Sequence, residues 1–144
     1  MPSPPQNFAN HVRYVPMYHF VCFGLLTAFA TRAVIQLIDR PTLDGWFQVF
    51  LGVGLLLLAW YARAFALTVQ DRVIRLEMGL RMQYVTPQLL AQFGKFTPSQ
   101  LTALRFASDG ELPDLAQQVL DGRLVGSGSI KRAIRQWQAD TLRV

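Results

Sequence analysis

The sequence predicts an all-α membrane protein: a two-helix transmembrane hairpin followed by a small helical domain on the cytoplasmic side. Three observations predict it. Residues 17–38 and 46–69 form two apolar runs, each long enough to cross a hydrocarbon core, which takes about 20 helical residues. Only Asp39 to Gly45 separate the runs, and so short a connection forces neighbouring antiparallel helices. Ten of the 14 Lys and Arg residues follow the second run, and the positive-inside rule puts that side in the cytoplasm. The expected divisions are an interfacial segment over 1–16, the hairpin over 17–69 and the helical domain over 70–144.

Composition supports this class. Hydrophobic residues make up 51% of the 144 and charged ones 16%, against about 25% charged in ordinary soluble domains. The chain is too short for most multi-span transporter folds. Its one cysteine, Cys22, cannot form an internal disulfide. The net charge of +5 fits nucleic acid or an anionic leaflet equally, so the placement of the charges decides.

The N-terminal segment is read as extended through Pro2 to Pro5. Asn7 to Tyr14 then lie along the membrane surface, and Pro16 breaks the chain before the first span. In that span Arg32 is the weak point. It would cost about 2.5–3.5 kcal/mol at the bilayer centre, but it lies past the middle of the run and can snorkel outward. Arg13, Phe20 to Leu26 and Ala28-Phe29-Ala30 imitate a signal peptide. The apolar character continues to Ile38, which favours a span. Pro41 and Gly45 supply turn chemistry to the connection. In the second span nine Phe, Val and Leu residues between Phe47 and Leu58 together favour insertion by roughly 4 kcal/mol. Trp46 marks the outer interface, and Trp60 and Tyr61 the inner one, with Arg63 beside them. Two spans put both termini in the cytoplasm.

Helices in lipid associate through close approach of small residues rather than through the hydrophobic effect. Gly24, Thr27, Ala28 and Thr31 share one face of the first helix. Gly52, Ala59, Ala62 and Ala66 lie on roughly one face of the second. The simple expectation is that these faces meet inside the hairpin; the alternative is that one receives a partner helix, a pigment or a quinone. Arg32 and Gln36, one turn apart, are read as a polar contact at the membrane, satisfied by each other, by headgroups and by loop acids, or else by a partner subunit.

Beyond the spans, no proline interrupts the second helix before Tyr84, so it is expected to run on as the spine of the domain. Val69, Val73, Leu76, Leu80 and Tyr84 repeat at helical spacing and are read as its core-facing stripe. Thr86-Pro87 and Thr97-Pro98-Ser99-Gln100 are helix starts, the latter a capping box. Ser108-Asp109-Gly110-Glu111 reads as a second capping box and Asp121-Gly122 as a stop. Gly126 to Ser129 reads as a flexible link, with Ser129 capping a last basic helix from Ile130 to about Gln138. Leu101, Leu104, Leu112, Leu115, Val119, Leu120, Ile134 and Trp137 are the expected core. Lys131, Arg132 and Arg135 form a basic surface, solvated or against anionic headgroups.

No phosphate loop, carboxylate pair or metal-ligand cluster stands out in the sequence. The histidines are His11 and His19, and His19, near the inner end of the first span, is the candidate axial ligand for a haem or a chlorophyll-type magnesium. No aromatic-interleaved basic platform is present, so nucleic acid is not an expected partner. The favoured function is a non-enzymatic accessory or scaffolding subunit of a larger membrane complex, for instance an energy-transducing one, with no cofactor. Its expected partners are membrane lipids and either other membrane subunits or further copies of the chain. The alternatives are a redox or pigment subunit using His19 and a regulator at anionic lipid surfaces.

Several stretches also carry a resemblance. They are Gln6-Asn7-Phe8 with His11 to Pro16, Ala62 to Leu67 leading into Gln70 to Glu77, and Phe96-Thr97-Pro98. Leu104 to Asp109, Glu111-Leu112-Pro113, and the ending from Ile130-Lys131 through Trp137 to Leu142-Arg143-Val144 complete them. In these the whole chain resembles an uncharacterised, domain-of-unknown-function family of small two-span bacterial membrane proteins. The resemblance implies a bacterial cytoplasmic membrane and the same layout, and carries no activity, cofactor or catalytic residue.

Overall fold

Seven helical segments account for the fold, and no strand occurs among the described residues. The structure is a computed structural model and describes residues 7–8 and 15–139. The expected surface segment at the N-terminus lies almost wholly outside them; Asn7 and Phe8 are exposed. The chain divides into one unit within Tyr14–Leu67 and another from Thr68 onward.

In the first unit, a π-helical stretch, Met17–Cys22, leads into helix α1, Phe23–Asp39. Met17–Asp39 and helix α2, Leu43–Val85, are both long and apolar enough to cross a membrane. The connection is shorter than expected. Thr42 already caps α2, its Oγ1 accepting from Gly45 N at 3.1 Å, and Asp44 in the first turn complements the helix dipole. The two helices meet in opposite chain order within this unit. A Cβ on Gly45 would stand 2.9 Å from Leu37, and one on Gly52 would stand 3.1 Å from the Ala30 backbone. Further along, the Tyr18 hydroxyl donates to the Ala59 carbonyl. Ala33 is buried between them at 2% exposure. The pair approaches closely through small residues, Gly52 against Ala30 with Ala33 buried nearby, rather than through the face anticipated. Phe20, Leu25, Phe47, Phe50, Leu58 and Phe65 are all exposed.

The second unit is built on the end of α2. A 3₁₀ segment, Pro87–Lys95, is followed by α3, Pro98–Leu104, α4, Leu112–Leu120, and α5, Ser127–Ala133. The capping box at Thr97 forms as expected, with Thr97 Oγ1 accepting from Gln100 N and Gln100 Oε1 accepting from Thr97 N. Asp121 ends α4 and Gly122 takes a positive φ of 76°, the left-handed stop that glycine adopts at least cost.

Four expectations fail here. Ser108 does not cap α4. Glu111 turns away from its own helix and its carboxylate accepts from Arg135 N and Gln136 N, holding an extended segment. In that segment Trp137 makes an isolated antiparallel bridge with Ala107. The last helix consequently stops at Ala133. Gly126 to Ser129 is the start of α5 and not a link, with Ser129 Oγ accepting from Gly126 N at 3.2 Å.

The fourth failure is the face of α2. The buried residues are Ile74, Met78 and Met82, whereas Val73, Leu76, Leu80 and Tyr84 are 47, 70, 61 and 84% exposed. At 100° per residue these are opposite sides of one helix. Around Met78 and Met82 cluster Leu89, Phe96, Leu101, Leu104, Leu112, Val119 and Ile130. Long, unbranched methionines fill gaps left by short helices meeting at varied angles. Arg81, beside this face, binds Asp109 through Nε at 2.8 Å, the Arg105 carbonyl at 3.1 Å and the Ala107 carbonyl at 2.6 Å. It fastens the α3–α4 connection to α2.

Candidate functional site

Of the residues singled out in the sequence, six lie along one feature of the first unit. His19, Gly24, Thr27, Ala28, Thr31 and Arg32 line an open groove of about 810 Å³, together with Phe20, Phe23 and Ile35. All nine belong to Met17–Asp39, so the groove is a trough along one helix. At a rise of 1.5 Å per residue, His19 and Arg32 are about 20 Å apart along the axis. Nothing comes within 4 Å of a Cβ built on Gly24.

This corrects the expectation that the small faces of the two helices meet. On the 100° wheel the groove is opposite Ala30 and Ala33. Both faces of α1 carry small residues; the Ala30 face also carries Leu26, Phe29 and Leu37 to fill space beside α2, whereas the other face is interrupted by Thr27, Thr31 and Arg32. Gly52 packs against Ala30 and Phe29 rather than against the Gly24 face. Ala59 is half-buried, and Ala62 and Ala66 are exposed.

At the His19 end, Nδ1 lies 3.0 Å from the Val15 carbonyl and 3.1 Å from Val15 N, so that nitrogen is tied to its own helix start in either tautomer. Tyr18 is a node that sequence reading missed. Its ring meets His19 and Phe23 edge-on at 5.4 Å, and the Arg63 guanidinium lies 5.9 Å from its centroid. Arg63 is thus paired with an aromatic face, an attraction of about 0.5–2 kcal/mol depending on desolvation. At the other end Arg32 and Gln36 are exposed and form no side-chain hydrogen bond with each other among the described residues.

The three residues of the expected basic surface, Lys131, Arg132 and Arg135, do not share one face. The Lys131 ammonium lies 5.5 Å from the Phe106 centroid, and Phe106 also stacks on Trp137 at 4.6 Å. Arg132 and Arg135 line a groove with Glu111 and Asp114, which mixes both signs of charge. No group of three or more potential metal ligands occurs among the described residues.

Fold and site define an all-helical protein with two helices long and apolar enough to cross a membrane, one of them bearing an open, small-residue groove. The chain belongs to a family of unknown function, DUF6526, over residues 1–144. No curated protein and no solved structure matches it.

Proposed function

We propose that the chain is a two-span protein of the bacterial cytoplasmic membrane, with both termini and the helical domain in the cytoplasm. It acts there as a non-enzymatic accessory or scaffolding subunit of a larger membrane complex, an energy-transducing one being one such setting. The observation that carries the reading is the groove on α1. A face of Gly24, Thr27, Ala28 and Thr31 left open by α2 is the surface another helix uses for close approach in lipid. The exposed apolar side chains of both long helices support a hydrocarbon surrounding. The excess of Lys and Arg after the second apolar run supports the orientation. The polar groups of the groove are strung along one helix and do not converge, which favours docking over chemistry.

The test has two stages. The chain should stay in the membrane pellet through alkaline extraction. On native gels of mildly solubilised membranes it should run with a larger complex, and Gly24→Leu with Ala28→Leu should release it. Extraction by alkali, or migration of the unaltered chain at its own mass, refutes the proposal. A second reading, a pigment or haem subunit, draws on His19 lining the same groove with Nδ1 held by the backbone, as ligating histidines usually are. Purified protein with no visible absorption band refutes that reading.

A further inference from the structure

We infer that the outward stripe of α2 between Val69 and Leu80 is a parallel coiled-coil seam for a second copy of this chain. Val69, Val73, Leu76 and Leu80 are spaced 4, 3 and 4 residues apart, the alternation of a 3.5-residue repeat, and all four are exposed. Their own domain lies on the opposite side of the helix, against Ile74, Met78 and Met82. Hydrocarbon is a poor cover for this stripe. Asp71, Arg72, Arg75 and Glu77 are interleaved with it and would have to enter the bilayer with it, where charged side chains are strongly disfavoured. α2 is about 64 Å long at 1.5 Å per residue, twice what the hydrocarbon core takes up.

The occupant follows from the residues flanking the seam. With Val73 and Leu80 at the first core position of each heptad, Val69 and Leu76 fall on the second, and the central pair, β-branched Val73 followed by Leu76, has the order that suits a parallel dimer. Arg72 and Glu77 then flank the seam on its two sides, five residues apart. In a parallel dimer that spacing brings Arg72 of each copy beside Glu77 of the other, giving two opposite-charge pairs from one sequence. Both side chains are exposed, with no ion-pair partner among the described residues. The basic residue one turn beyond Glu77, Arg81, is turned to Asp109. The same five-residue offset places Gly79 beside Tyr84 of the other copy. Gly79 lines a mostly apolar groove of about 560 Å³ together with Leu76, Leu80, Phe93 and the stems of Arg72 and Arg75, and Tyr84 is the most exposed large apolar side chain among the described residues. One surface therefore carries the seam, both members of a charge pair, a protruding ring and a recess for it, and this self-complementarity points to a copy of itself. Two copies inserted in one membrane in the same sense have parallel α2 helices; that clause rests on the membrane reading proposed above.

The experiment uses the full chain in its native membrane, with Cys22→Ser as background. Val73→Cys and Leu76→Cys should give, on mild oxidation, a product of twice the chain mass, several-fold more than Asp71→Cys on the opposite side. In an unmodified seam, Arg72→Glu should weaken the dimer about tenfold, since two attractive pairs become repulsive. Glu77→Arg should do the same, and the double exchange should restore it. Equal crosslinking at position 71, a product of any other mass, no product at 73 and 76, or failure of the double exchange overturns the inference. Retention through alkaline extraction without crosslinking removes the dimer alone. Alkali-extractable chain that still crosslinks removes only the membrane reading.

Discussion

Replacing Arg81 tests how the helical domain is fastened to α2. The guanidinium makes one ion pair, to Asp109 at 2.7 Å, and two hydrogen bonds to main-chain carbonyls. The Arg81 side chain is 20% exposed and that of Asp109 is 67% exposed. Solvent screens the ion pair, which is worth about 0–1 kcal/mol. The carbonyl bonds have a charged donor in a half-buried setting and are worth about 1.5–3 kcal/mol each. Arg81→Ala should thus cost about 3–7 kcal/mol, and Asp109→Ala no more than about 1. In a domain of this size each kcal/mol moves the melting midpoint by about 4–8 °C. The expected shifts are more than ten degrees for Arg81→Ala and a few degrees for Asp109→Ala. Trp46→Phe with Trp60→Phe leaves Trp137, stacked on Phe106, as the one tryptophan reporter in the full chain in detergent. Equal losses from the two alanine variants would refute the reasoning, because the ion pair rather than the carbonyl bonds would then carry the attachment.

Other substitutions probe the remaining contacts. Met82→Ala should destabilise the domain by about 2–5 kcal/mol as a buried large-to-small change, while Leu76→Ala in dilute, monomeric detergent solution should stay within about 0.5 kcal/mol; melts of the two variants with the opposite ranking would reverse the assigned faces of α2. Gly52→Leu meets backbone at Ala30 and should force α1 and α2 apart at about 1–3 kcal/mol, read as lost crosslinking between cysteines at 33 and 49 in a Cys22→Ser background, whereas Gly24→Leu should leave that crosslink intact. Glu111→Ala removes the acceptor for Arg135 N and Gln136 N, and should make the chain after Ala133 cleave faster under limited proteolysis while α4 stays protected.

The helical elements were largely legible because their signals are local. Pro98 after Thr97, with Gln100 three residues after the cap, specifies a helix start whatever surrounds it, and that capping box is present. Gly122 is likewise a stop by its own conformational freedom. Ser108 through Glu111 carries the same letters as a capping box but does not form one, because Glu111 has a better pair of donors in the extended segment at Arg135 and Gln136. That competitor lies 24 residues away and leaves no mark in the local pattern. The same segment shortened the last helix, since pairing with Phe106 and Ala107 takes the backbone groups a continued helix would use.

What the sequence determined by itself was the class: two long apolar helices, a short connection and a run of capped short helices, all set by composition and by interactions within a few residues. It also determined which residues of α1 are small and which positions of α2 are apolar at helical spacing. Only the tertiary structure decided which side of each helix is used. α1 has two small faces and α2 has two apolar ones, Val73-Leu76-Leu80 and Ile74-Met78-Met82. Periodicity cannot rank two faces of similar character; the choice falls to shape, where Leu37 and Phe29 fill space beside α2 and methionines fit the gaps between short helices. The faces not chosen, the groove on α1 and the stripe on α2, are for the same reason left open by the chain's own packing.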